Sequence, residues 1–341
     1  MALIGVYGFE GRDLDFDQVD VSGGAPTYSS TVPAGGSTRS LREPTASSNV
    51  GLPLDVATSS CSMTLQVFMA SGTTANDNHR IGWRDGVNLL GYVDWEDNTR
   101  RMRIWIDGAL VATSVDTIPV SQWTRYHLEV ILDGTVGRVS VYVDGDFVNP
   151  FVEFTGNTDP TAALSLDTVH FAMGSGGFPQ WLFDNLVVID ATAGGPTSIN
   201  DIISVSVKPK APDGDGAASD WTATGSPGGA SDFNYVDEVP PDDGDYVRAT
   251  AAAQTSTYTF ENESTDTVIG VRVKARVLRG DASAGVNMRF VARQGGVNYV
   301  KGIQPAPTEG PVDDLWSTAP DGTAWDNTKF NGVEFGVRSV T

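Results

Sequence analysis

From Ser62 onward, apolar and polar side chains alternate. SMTLQVFMA (62–70) alternates and then runs apolar. RRMRIWID (100–107) sets Met102, Ile104 and Ile106 on one face, with Arg101, Arg103 and Trp105 on the other. QWTRYHLEVIL (122–132) divides Tyr126, Leu128, Val130 and Leu132 from His127, Glu129 and Ile131. A period of two is the signature of a β-strand with one face on a core. LIGVYGF (3–9) and WLFDNLVVID (181–190) read as further strands, and residues 268–278 give the clearest strand of the second half.

The turns agree with this reading. IWIDGALV (104–111) and VYVDGDFV (141–148) each place Asp-Gly after an apolar run. Asp and Gly tolerate the positive φ that a tight hairpin needs, so Asp107-Gly108 and Asp144-Gly145 are each expected to turn one strand into the next. Asp133-Gly134 is expected in a longer turn, ILDGTVGRV. Residues 22–60 lack periodicity and read as a long loop with one short strand near 38–41. Residues 209–245 are acidic and turn-rich, too long for an idle connection, and so either functional or packed as an ordered loop.

These elements predict an all-β protein of two β-sandwich, jelly-roll-like domains in tandem, 1–193 and 194–341. Length favours two domains over one, and ATAGGPTS (191–198) marks the boundary by composition. Composition adds to the picture: 38 Gly, 18 Pro, 33 Asp to 10 Glu, and only 17 Leu suit strands joined by tight turns.

The net charge is −21. The first 193 residues hold 10 basic and 23 acidic side chains, a balance of −13; the rest hold 12 and 20, a balance of −8. Both halves repel a phosphate backbone, which excludes nucleic acid as a partner. No run approaches the roughly 18 apolar residues of a membrane span, so no membrane insertion is expected. The N-terminus reads as a strand and not as a signal peptide, which suggests folding in a cytoplasm. Cys61 is the only cysteine, so there is no intrachain disulfide; it reads as a small buried apolar residue.

The first domain resembles the concanavalin A-like, laminin-G-like jelly roll. The resemblance rests on GFEGRD at the start, QWTRYHLEVILDGTVGRVSVYVDGDFV in the middle and WLFDNLVVID at the end. The second domain resembles C-terminal β-domains of tailed-phage virion proteins, through VIGVRVKARVLR and WSTAPDGTAWDNTKFNGVEFGVRSV. The resemblance implies a non-catalytic structural component of a phage particle: a capsid decoration, fibre or tail protein located in the virion after folding in the host cytoplasm. It would dock on other virion proteins, as a homo-oligomer. A carbohydrate-binding adhesin module recognising a host-surface glycan is the alternative.

No carboxylate motif of a retaining glycosidase occurs, and Glu129 and Glu153 each stand alone in the sequence. Asp94 and Glu96 share a strand face within DWEDN (94–98). No catalytic residue and no cofactor are expected. Calcium is left open, with DWEDN, DGD (213–215) and DEVPPDDGD (237–245) as unassigned candidate loops. The Gly295-Gly296 pair lacks a following helix and so makes no phosphate cradle. Trp83, Tyr92, Trp95 and Trp105 fall within 23 residues and are candidate glycan or interface aromatics, with core packing as the plainer reading. Arg272, Lys274 and Arg276 form a basic row, a candidate assembly face or a solvated outer face.

Overall fold

The computed structural model describes residues 2–7, 20–22, 27–29, 40–42, 49–69, 79–96, 99–144, 146, 148–163, 165–172, 181–190, 207–208, 210–225, 231–237, 244–278, 287–306 and 309–340. The chain divides into two compact units, changing at 208/209. The expected boundary at 193/194 lies outside the described residues. Among the described residues no helix is long and apolar enough to cross a membrane.

The first unit opens with β1 (Ala2–Tyr7), β2 (Asp20–Ser22), β3 (Thr27–Ser29), β4 (Ser40–Arg42) and β5 (Asn49–Thr58). There follow β6 (Ser60–Met69), β7 (His79–Asp85), β8 (Asn88–Glu96), β9 (Arg101–Ile106) and β10 (Ala109–Thr113). It ends with β11 (Trp123–Ile131), β12 (Gly137–Val143), β13 (Val152–Gly156), β14 (Leu166–Ala172) and β15 (Trp181–Asp190). One sheet runs β13-β12-β11-β6-β15-β4-β3, with β1 also on β15. The other runs β10-β9-β8-β7-β14-β5-β2. All these pairings are antiparallel.

Residues opposite each other in a ladder share a face. In the second sheet Ile104, Val93, Ile81, Phe171 and Val50 stand in one row, and all are buried. That row meets the first sheet. Phe171 packs on Phe183 of β15 at 4.9 Å between ring centroids. Cys61 lies in the same core; burial, and then Asp190, push its thiol pKa up, which makes it a poor nucleophile.

Turn chemistry sets the hairpins. Asp107 and Gly108 sit at φ 47° and 73°, and Ile106 pairs Ala109 directly across them. VYVDGDFV behaves differently. β12 ends at Val143, and β13 begins only at Val152, so this phrase opens a longer connection over residues 144–151. Asp144 is at φ 49°, and its carboxylate accepts from the Arg125 amide at 3.0 Å; Gly145 lies outside the described residues. Asp133 makes its turn by accepting from the Thr135 and Val136 amides at 2.7 and 2.8 Å. The expected loop over 22–60 contains the ten-residue β5, which Pro53 hides from a pattern reading.

The second unit contains β16 (Pro212–Ser219), β17 (Thr222–Thr224), β18 (Tyr246–Arg248), β19 (Thr255–Phe260) and β20 (Val271–Leu278). It continues with β21 (Asn287–Gln294), β22 (Val297–Val300), β23 (Gln304–Pro305), β24 (Glu309–Trp316) and β25 (Val333–Val340). Its main sheet runs β16-β19-β25-β21-β22, with β23 also on β21; β17-β18 and β20-β24 pair separately. Trp316, Trp325, Val333 and Phe335 centre its core, and Val271 and Val273 pack on it. Gly295 and Gly296, at φ 58° and 84°, turn β21 into β22. The strand expected over 268–278 starts at Val271, because the Val268 amide donates to Asn327 Oδ1 at 3.1 Å and leaves the ladder. Within the 209–245 stretch the described residues hold β16, β17 and a 3-10 turn at Asp232–Tyr235.

Candidate functional site

The row beside the core row faces away from it. Across the second sheet it reads Leu110, Trp105, Tyr92, Gly82, His170 and Gly51. The next row on the same face holds Arg103, Asp94 and Arg80. The outer face of β7–β10 therefore gathers two aromatic rings and several charged groups.

Tyr92 and Trp105 are stacked, with centroids 5.7 Å apart and planes 16° from parallel. The Arg80 guanidinium lies over the Tyr92 ring at 4.4 Å, and that of Arg103 over Trp105 at 5.3 Å. Tyr92 is buried by this company, Trp105 is half-buried, and Leu110 beside it is 48% exposed. The result is an apolar strip that reaches solvent at Trp105 and Leu110. The Trp105 Nε1–H is shielded from solvent and has no acceptor among the described residues.

A charged network borders the strip. Arg103 grips Asp94 with two bonds of 2.8 Å and reaches Glu96 at 2.9 Å. Asp94 is fully buried, and this paired fork gives it a charged partner in the interior. Glu96 also accepts from Thr99 at 2.6 Å. On the other side, Arg84 donates to His170 Nε2 at 2.8 Å. Burial, then Arg84 and Arg80, push the His170 pKa down to about 3. The ring is therefore neutral, with Nε2 as acceptor and its proton on Nδ1.

The four aromatics singled out in the sequence divide evenly. Tyr92 and Trp105 come together on the outer face. Trp83 and Trp95 are fully buried on the core face, where Trp95 meets Tyr126 edge to face, and neither offers a ring to a ligand. Strand parity separates them: residues 92 and 105 are register partners, whereas 95 and 83 fall on the opposite side of their strands.

The basic row of the second unit also divides. Arg272 is bonded to Asp313 at 2.9 Å and its side chain is 5% exposed, so the row is no uniform charged face. The acidic β24 beside it removes that charge. Lys274 and Arg276 are exposed, on the same face of β20.

Arg80, Arg84 and His170 escape a sequence reading. Arg84 and His170 are 86 positions apart, and only the pairing of β7 with β14 joins them. The carboxylates expected to stand alone do not: Glu129 and Glu153 flank Ser140 in register on the first sheet. Two strand spacings put their backbones about 10 Å apart. Arg138 bonds Glu129 at 3.0 Å, and Ser140 bonds Glu153 at 2.8 Å. Among the described residues no three His, Cys, Asp or Glu side chains group to hold a metal ion. Of the candidate calcium loops, Asp213 accepts from Thr259 and Asp215 from the Phe233 amide. Residues 97–98 and 238–243 lie outside the described residues.

No family model matches the chain, and no curated protein matches it. The phage resemblance therefore gains no support from comparison. Solved structures do match. The "Cellulose induced protein, Cip1" is 15% identical, with a TM-score of 0.39, over 51% of this chain and 91% of that one. Lectin II from Ulex europaeus is 8% identical, with a TM-score of 0.38, over 54% and 97%. Domain 4 of AbnA, a GH43 extracellular arabinanase from Geobacillus stearothermophilus solved in complex with arabinotriose, is 18% identical, with a TM-score of 0.36, over 55% and 92%. At these values the likenesses assign neither family nor ligand.

Proposed function

We propose that the first unit is a non-catalytic carbohydrate-binding β-sandwich whose outer β7–β10 face docks a glycan. One observation carries this reading: the Tyr92–Trp105 stack reaches the surface at Trp105, bordered by guanidinium and carboxylate groups. A sugar ring presents an apolar C–H face and a hydroxyl rim. A half-exposed indole suits the first, and charged hydrogen-bonding groups suit the second.

Catalysis is the weaker reading because Asp94 and Glu96 are both engaged by one arginine. Neither is presented as a proton donor to a glycosidic oxygen. The adhesin role is thus preferred to virion assembly through the Arg272, Lys274 and Arg276 row, in which Arg272 is engaged by Asp313.

The test is Trp105→Ala in the full chain, screened against an immobilised glycan panel. Binding should fall at least about tenfold, as removal of a central aromatic anchor does. The urea midpoint should move little, since Trp105 is half-buried. Unchanged glycan binding in a folded Trp105→Ala variant removes the proposal.

A further inference from the structure

We infer that the glycan is acidic, and that Arg80 is the counter-ion of its carboxylate or sulfate ester; this rests on the carbohydrate-binding reading above. Arg80 is singled out by its place: its guanidinium lies over Tyr92, the ring stacked on Trp105. Arg103 is held by Asp94 and Glu96, Arg138 by Glu129, and Arg272 by Asp313. Arg80 makes no ion pair and no side-chain hydrogen bond among the described residues, and its Nε is shielded from solvent without an acceptor. Its one contact of note is the Tyr92 ring at 4.4 Å. Its register partner Asp94 has both oxygens on Arg103.

Among the described residues no carboxylate forms an ion pair with Arg80, whose guanidinium charge borders the aromatic strip. Arg84 points a second guanidinium at the same region, and His170 beside it is neutral and uses Nε2 on Arg84. A neutral sugar would leave the guanidinium charge unmatched, whereas a carboxylate or sulfate would match it and accept from its outer N–H groups.

The net charge of −21 opposes any acidic polymer at long range. At physiological salt the screening length is about 8 Å, so distant carboxylates fade while a guanidinium in contact with the ligand does not. The stack also gives geometry to the proposal. Arg80 and Trp105 flank Tyr92 across neighbouring strands, β7 and β9, roughly 10 Å apart by strand spacing. An acidic group on Arg80 would leave the adjoining part of the glycan over Trp105.

The experiment uses the full chain at about 0.15 M salt. Glycans bearing uronic or sialic acids, glycans bearing sulfate esters, and matched neutral glycans with the carboxyl reduced are immobilised side by side. Wild type, Arg80→Gln, Arg80→Lys and Trp105→Ala are compared. The acidic glycans should bind at least about tenfold tighter than their neutral matches. Arg80→Gln should abolish that preference, and Arg80→Lys should restore part of it. The array decides between carboxylate and sulfate. Equal binding of acidic and neutral forms overturns the inference, as does a preference that survives Arg80→Gln. Should Arg80→Gln misfold, the comparison of acidic with carboxyl-reduced glycans on wild type still decides. Loss of neutral binding in Trp105→Ala, with no acidic preference in wild type, sinks this inference alone. Absence of glycan binding by wild type sinks the underlying reading with it.

Discussion

Trp95 and Tyr126 meet edge to face across the two sheets of the first unit, with ring centroids 5.6 Å apart. Both are essentially solvent-free, so this pair joins the sheets instead of serving a ligand. Trp95→Ala should cost about 3–5 kcal/mol, as large aromatic truncations in cores do. Urea denaturation would read this as a large drop in midpoint. A drop below about 1 kcal/mol would show that the two sheets are not joined there.

The Asp107-Gly108 turn gives a sharper, smaller test. Both residues have φ in the left-handed region. A β-branched residue there should cost about 1–3 kcal/mol, whereas Asn tolerates the conformation. Gly108→Val should therefore lower the urea midpoint clearly, and Asp107→Asn should leave it nearly in place. Equal effects would mean that backbone conformation does not govern this turn.

Strand β16 shows what the sequence hid. PDGDGAAS reads as loop, yet it pairs β19 along the sheet. At Gly216 a Cβ would strike Thr257 and the Glu334 carboxylate. Glycine is thus a packing requirement of a strand, and Asp215 reaches out to the Phe233 amide at 2.8 Å. Gly216→Ala should destabilise the second unit by more than the about 1 kcal/mol that strand propensity alone would improve it. A stabilised Gly216→Ala variant would contradict the packing.

The legible parts of this chain are those where local pattern and tertiary demand coincide. Met102, Ile104 and Ile106 alternate in sequence and are buried in the structure, as their period requires. The hidden parts are non-local. Alternation with Ile104 and Ile106 already sets Trp105 on the outer face, but that Tyr92 is the ring stacked on it follows from the β8–β9 register, which spacing does not reveal. Likewise VYVDGDFV copies IWIDGALV, but the Asp144 carboxylate is drawn to Arg125 on the neighbouring strand and the chain travels on to residue 152 before pairing. Tertiary hydrogen bonds overrode the local turn signal there.

The Arg103–Asp94 fork offers a test of charge. Asp94 is fully buried and Arg103 holds both its oxygens, while Glu96 is 31% exposed by side chain. Removing one partner strands the other, at about 3–5 kcal/mol for a buried pair. Arg103→Ala should be strongly destabilising. Glu96→Gln should cost under about 1 kcal/mol, as partly solvated pairs do. In a double-mutant cycle Asp94→Ala and Arg103→Ala should couple, the second substitution costing far less once the first is made. Strict additivity would show that the fork does not act as a pair.

The two buried histidines give the molecule a pH dependence of defined sign. Burial, with Arg125, lowers the His127 pKa from 6.5 to about 4; burial, with Arg84 and Arg80, lowers that of His170 to about 3. Between those values and 6.5 the unfolded chain binds protons that the folded chain refuses. Stability therefore rises with pH through this window and is lost as pH falls below 6.5. At pH 5 each histidine should contribute a loss on the order of 2 kcal/mol relative to pH 7.5. The turn carboxylates Asp133, Asp146, Asp321 and Asp326 are all lowered from 3.8, so their own losses come at still lower pH. Urea midpoints measured from pH 7.5 to 5 should fall steadily in wild type. The double variant His127→Gln/His170→Gln should start lower but show a flatter slope. An equally steep slope in that variant would place the proton uptake elsewhere.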